Sequence, residues 1–226
     1  MAQKSLGVTL RIRWLCHVGP ILCTLLLPFQ VAAIAGVPAG HVASHGLERD
    51  IVYADGTGEG AGYFTFIEGI PGPFFAGLPS EETAFFTFRT TRFSTGIIQN
   101  GNVKAPLHPP GSFTIYLNTA PMGSWNDLGT FSAGQQIAIV EYGATQDIAP
   151  VSPNAGSVQI GYTSARLVDS SDFQFQGHRF NLNDLFPNGV TIAFITNPTP
   201  INNNLPLIFS LGFTAFAIGA DTDQTE

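Results

Sequence analysis

The sequence predicts an all-β domain: a single antiparallel β-sandwich or closed β-barrel of about 8–10 strands, following an N-terminal signal peptide. Three observations predict it. Apolar residues alternate with period two through most of the chain, clusters of Gly, Pro and Asn interrupt that alternation, and no stretch after Ala35 carries an apolar stripe at helical spacing. Parallel sheets would need helical crossovers between strands, and the sequence leaves no room for them.

The leader has three parts in the expected order. Lys4, Arg11 and Arg13 form a basic, acid-free start, a mostly apolar stretch runs from Trp14 to Ala35, and Ala33-Ile34-Ala35 supplies the small-x-small pattern of a cleavage site. Cleavage after Ala35 removes 35 of 226 residues and leaves 191, the size of one domain. The alternative is a retained anchor, because residues 14–35 are long enough to span a bilayer, although His17, Pro20, Pro28 and Gln30 interrupt them. Either way the expected location is outside the cytoplasm, secreted or periplasmic, and the cleaved form has no membrane span. Residues 36–50 are small, polar and Gly/Pro-punctuated and read as a flexible arm; 51–219 form the all-β domain, and 220–226 an acidic disordered tail.

Expected strands lie at 62–69, 84–93, 112–118, 136–142, 157–168, 172–176, 179–182, 189–197 and 207–219. Pro71-Gly72-Pro73, Asn100-Gly101-Asn102, Pro109-Pro110-Gly111 and Asn188-Gly189 are among the turns between them. Two strands carry apolar residues on both faces: Phe64 and Phe66 against Tyr63 and Ile67, and Val190, Ile192 and Phe194 against Ala193 and Ile195. Such strands imply a barrel wall covered outside, an extra layer, or an oligomer interface, so a homo-oligomer is one expectation. Phe173/Phe175 and Phe180/Leu182 differ in parity, which a β-bulge at Gly177 explains better than a tight hairpin.

Charge and cysteine content exclude whole classes of function. Three of the nine basic residues and none of the sixteen acidic ones lie in the leader, so the remainder carries six against sixteen, a formal charge of −10. Such a surface repels phosphate backbones, and nucleic acid is excluded as a partner. Cys16 and Cys23 both lie in the leader, which leaves the cleaved form without disulfides, thiolate chemistry, iron–sulfur clusters or Cys-ligated zinc. There is no Asn-x-Ser/Thr sequon after the leader.

Motif searches return little chemistry. His-Glu-x-x-His, Gly-x-Ser-x-Gly and Walker-type patterns are absent from the sequence. Residues 56–61 (GTGEGA) match a dinucleotide-loop spacing but precede a strand rather than a helix, and Glu59 would oppose a phosphate, so they read as a glycine turn and no cofactor is expected. Asp55 and Glu59, with Thr57 between them, offer oxygen ligands for calcium, yet Phe66 stands where the loop needs its bidentate acid; a solvated acidic turn is the default. His41 and His45 lack a third ligand, and His108 falls in a Pro-rich loop.

Seven further residues remain as candidates. Glu141 shares parity with Ile137 and Ile139, so on an inward face it would act as a general acid or base. Arg89 and Arg92 lie on opposite faces of one strand, and the inward one would need a carboxylate such as Glu68 or Glu141. His178 is re-aimed towards a pocket if Gly177 is a bulge. Tyr116, Trp125 and Tyr142 are candidates for stacking on a ligand such as a sugar, with Trp125 alternatively folding back to cap the core. Lacking a catalytic constellation, the domain reads as a non-enzymatic binding or surface-interaction module with an unknown ligand or protein partner. The alternative is a small β-barrel enzyme or small-molecule carrier with a site near Glu141, Arg89 and His178.

Overall fold

The alternating segments become strands that close on themselves. The computed structural model describes residues 36–101, 103–150, 158–196, 201 and 204–219, so the signal-peptide and tail expectations lie outside the described residues. Eight strands form the wall: β1 (Val42–Val52), β2 (Thr57–Ile67), β3 (Phe86–Thr90), β7 (Gly111–Leu117), β8 (Gln135–Tyr142), β10 (Gln159–Ser170), β13 (Val190–Thr196) and β14 (Leu207–Ala217). In the order β13-β14-β1-β2-β3-β7-β8-β10 each pairs antiparallel with the next, and β10 pairs with β13 to complete the ring. The fold is therefore a closed barrel rather than a sandwich.

Four short strands extend that wall. β4 (Phe93–Ser94) pairs with β2. β5 (Gly96–Asn100) and β6 (Val103–His108) form a hairpin, joined through β9 (Thr145–Pro150) to the N-terminal half of β10. Finally, β11 (Phe173–Phe175) and β12 (His178–Phe180) make a separate hairpin. Gln176 and Gly177 have φ of 50° and 80°, both positive as a type I′ turn requires. The parity change at Gly177 is thus a tight hairpin, not a bulge, and His178 is not re-aimed inwards: it lies exposed beside the turn.

Much of the segment read as an arm is β1, paired along its length with β14 and β2. Its pattern is inverted relative to an ordinary barrel strand. Ser44, Glu48 and Asp50 border the barrel interior, whereas Ile51 packs in an outer cluster with Ala61, Tyr63, Leu128 and Phe131. The outer layer explains why β2 is apolar on both faces: Phe64 packs in the barrel core and Tyr63 under the layer. Asp127 caps the 3-10 turn Leu128–Ser132 by accepting from Gly129 N (2.9 Å), and Thr87 Oγ1 donates to Phe131 O at 2.5 Å, fixing the turn to the wall.

One end of the barrel is filled. The short helix α1 (Leu182–Leu185), with Phe173, Phe180 and Phe186, packs there against the core. Among the described residues, no helix is long and apolar enough to cross a membrane.

Candidate functional site

Inside the barrel a cavity of about 160 Å³ runs from Ala43, Ile67, Leu182 and Phe186, beside the filled end, to Asp50, Thr90, Phe93 and His108, where β1 finishes and β2 begins. Phe64, Phe88, Phe113 and Phe213 form much of its wall, with ring centroids 5.4–5.7 Å apart for the Phe64–Phe88, Phe64–Phe213, Phe88–Phe113 and Phe88–Phe213 pairs. Into this apolar space β1 sends two carboxyls, Glu48 and Asp50, from alternate positions on one face.

The room for them comes from the neighbouring strand. Gly60 stands opposite Asp50 in the β1–β2 ladder, and a Cβ there would collide with both Asp50 Oδ1 and Glu48 Oε1. Gly62, two residues further, similarly makes way for the Phe88 ring. Residues 56–61, read from the sequence as a turn, are therefore mostly strand, with glycines alternating on its inward face. Gly60 N donates to Thr90 Oγ1 (2.7 Å), which holds β2 to β3 beside the carboxyls.

The environment acts on Glu48 in one direction. Burial, the negative charge of Asp50 and a hydrogen bond shared with Asp50 all hold its carboxyl well above the usual carboxylate range. These effects favour the form in which Glu48 keeps its proton and hydrogen-bonds to Asp50. Tyr142, on the inward face of β8, is pushed up to about 12, first by burial and then by the charges of Glu48 and Asp50. Its ring stacks on Phe113 (6.4 Å, 24°) and occupies space left by Gly111 on β7. His108 and Arg166 also border the cavity, and the Phe93 ring meets the His108 ring edge-on at 5.5 Å. This constellation can store a proton in apolar surroundings, hand it to a bound molecule, or exchange it for a cation.

Glu141, Arg89 and His178, the residues the sequence proposed to combine, are not brought together. Glu141 is exposed and pairs with Arg166 at 3.2 Å. Ile137 is the extra residue where β8 pairs with β7, and this bulge changes the parity, so that Val140 and Tyr142 line the cavity and Glu141 points away. Arg89 donates to Glu59 Oε2 at 2.7 Å, not to Glu68 or Glu141. His178 lies against Phe180 in its hairpin, with ring centroids 6.3 Å apart.

The calcium candidates are likewise engaged by protein groups. Glu59 accepts from Arg89 and from Tyr53 Oη (2.5 Å), which hold its carboxyl below the ordinary range. Asp55 accepts from Thr57 N and Oγ1, with Arg92 at 3.6 Å. Among the described residues, no three His, Cys, Asp or Glu side chains gather as a metal-holding group.

The three stacking candidates are dispersed too. Trp125 folds back on Phe131 (4.8 Å) and lies under the Arg49 guanidinium (4.5 Å), so it caps the outer cluster. Tyr116 is half-buried on β7 opposite Thr87. Tyr142 is inside the barrel rather than on its surface. His45 bonds Thr214 Oγ1 (2.9 Å), and His108 ends strand β6 rather than lying in a loop.

No family model, curated protein or solved structure matches the chain.

Proposed function

We propose that the chain is an exported small-molecule-binding barrel whose cavity takes an apolar compound of about one ring. The observation that supports this reading is the cavity of about 160 Å³ left among phenylalanine side chains inside the barrel. A void of roughly 150 Å³ is enough to accept benzene. Export rests on the leader pattern at residues 1–35. The acidic balance supports a ligand other than nucleic acid.

The test is thermal denaturation and ligand-observed NMR with toluene, benzyl alcohol and benzylamine. At least one raises the melting temperature and shows saturation transfer, and Ile192→Trp, which fills the cavity from β13, abolishes both effects. Failure of every compound overturns the reading.

One observation favours a second reading, an acid–base enzyme: a Glu48 carboxyl whose proton affinity is raised by burial and by Asp50 suits a general acid. Turnover of an ester, lactone or glycoside that is lost in Glu48→Gln supports it.

A further inference from the structure

We propose that the outer face formed by β5, β6, β9, β10, β13, β14 and β1 is where two copies of this chain meet. It lies on the opposite side of the wall from the cavity and is independent of the ligand reading above.

The register of the ladders assembles this face. Residues paired directly across antiparallel strands share one side of the sheet. Ile160 of β10 is paired with Ile195 of β13, Ile195 with Gly212 of β14, and Gly212 with Leu47 of β1. Ala165, Ile192 and Phe213, of the opposite parity on β10, β13 and β14, border the cavity, so this row lies outside. In the other direction Ile160 is paired with Ile148 of β9, and Ile98 of β5 with Ala105 of β6. Between the pairs Val103–Pro150 and Leu107–Gln146, Ala105 comes level with Ile148, so one row crosses seven strands. Ile98, Ile160, Ile195 and Leu47 of this row are 40–57 % exposed, and Tyr162 in the next row is 61 % exposed.

Charge narrows what can cover it. Outside the leader the chain has sixteen acidic residues against six basic ones. Yet β13 and β14 contain no charged residue. The outward positions of β5, β6, β9 and of β10 from Ile160 to Ser164 have none either, because Lys104 and Asp147 fall on the other parity. An acidic or basic partner would find no counter-charge here. Elsewhere two copies repel through their shared excess of negative charge; here they meet without it. A twofold pairing sets the same patch on both sides, so an apolar row covers an apolar row.

Lipid fits less well. The acidic balance repels anionic headgroups, and the apolar surface is no full girdle, since Glu141 and Arg166 stand exposed on β8 and the far half of β10. The area suits a protein contact. Seven strands about 4.8 Å apart and three rows about 7 Å apart give roughly 600 Å² per copy and about 1,200 Å² for the pair, the lower end of specific interfaces.

Sedimentation velocity of the purified protein from about 1 μM to about 300 μM reads the mass directly. A reversible dimer forms within this range and is not weakened by added salt. Ile195→Glu and Ile160→Glu, which bring charge into the contact, each weaken it roughly tenfold or more, whereas Leu78→Glu, at an exposed position in the loop before Glu81, leaves it within about twofold. A monomer throughout, or a dimer indifferent to both substitutions on the face, overturns the inference. Binding of a monomeric protein to phosphatidylcholine vesicles, abolished by Ile195→Glu, also overturns it and makes the face a lipid surface. Should a variant fail to fold by circular dichroism, hydroxyl-radical footprinting of Tyr162 in the unaltered protein decides. Labelling that falls as the dimer fills supports the inference, and labelling indifferent to concentration overturns it.

Discussion

Gly60 lies directly opposite Asp50 in the β1–β2 ladder, and the volume its missing side chain leaves is where the Asp50 and Glu48 carboxyls sit. A single hydrogen on one strand thus sets the position of two acids on the next.

Gly60→Ala forces the carboxyls off their site. Overpacking of this kind lowers stability by about 1–3 kcal/mol, measured by urea unfolding. Gly96→Ala is the control, because a Cβ there meets only Leu107 O at 4.0 Å. Equal stability of the two variants would refute the proposed role of Gly60.

The raised carboxyl of Glu48 makes stability depend on pH with a definite sign. The folded chain keeps this proton above the ordinary carboxylate range, so it binds more protons than the unfolded chain up to the folded pKa. The stabilising contribution is full below the ordinary range and declines as pH rises, by at most about 1.4 kcal/mol per pH unit. Glu48→Gln removes that decline. Unfolding midpoints of variant and wild type diverge in the variant's favour as pH rises above the ordinary carboxylate range, and parallel curves would contradict the assignment.

Tyr142 ionises far on the alkaline side, at about 12. Ultraviolet titration of the phenolate sees this transition, and Tyr142→Phe deletes it. Glu48→Gln moves it to lower pH, because the Glu48 charge adds to the effect of burial. A Tyr142 transition indifferent to Glu48 would place the two groups too far apart to interact.

Outside the barrel, Arg89 and Glu59 form a pair at 2.7 Å with side chains 34 % and 22 % exposed. A double-mutant cycle with Arg89→Ala and Glu59→Ala gives a coupling of about 0.5–1 kcal/mol, reduced by salt. Because Arg89 and Tyr53 hold the Glu59 carboxyl below its usual range, this contribution is present above that range and lost as pH falls through it. Coupling that persists unchanged at low pH would show that packing, not charge, links them.

The wall of the barrel was legible because Phe, Ile and Val alternate in strands such as β7, β13 and β14. The candidate site was not, because β1 inverts the rule: its cavity-facing residues include Ser44, Gly46, Glu48 and Asp50, and an apolar residue such as Ile51 serves the outer layer. A strand with a polar inner face reads as a loop. Glycines at 58, 60 and 62 gave the same impression, although their period of two, set against the carboxyls at 48 and 50, was a usable signal. Glu141 and Tyr142 exchanged their expected faces because the bulge at Ile137 shifts phase, and strict alternation does not register an extra residue. Closure itself depends on β10 meeting β13, a pairing between distant segments that periodicity does not encode.

The alternating glycines of β2 also act as a depth gauge. Gly58 lies by the Phe93 ring, Gly60 under the acids and Gly62 against Phe88. One methyl group added at each position in turn would therefore shorten the void from a different level, and the level at which a guest is first rejected would report how far down it reaches.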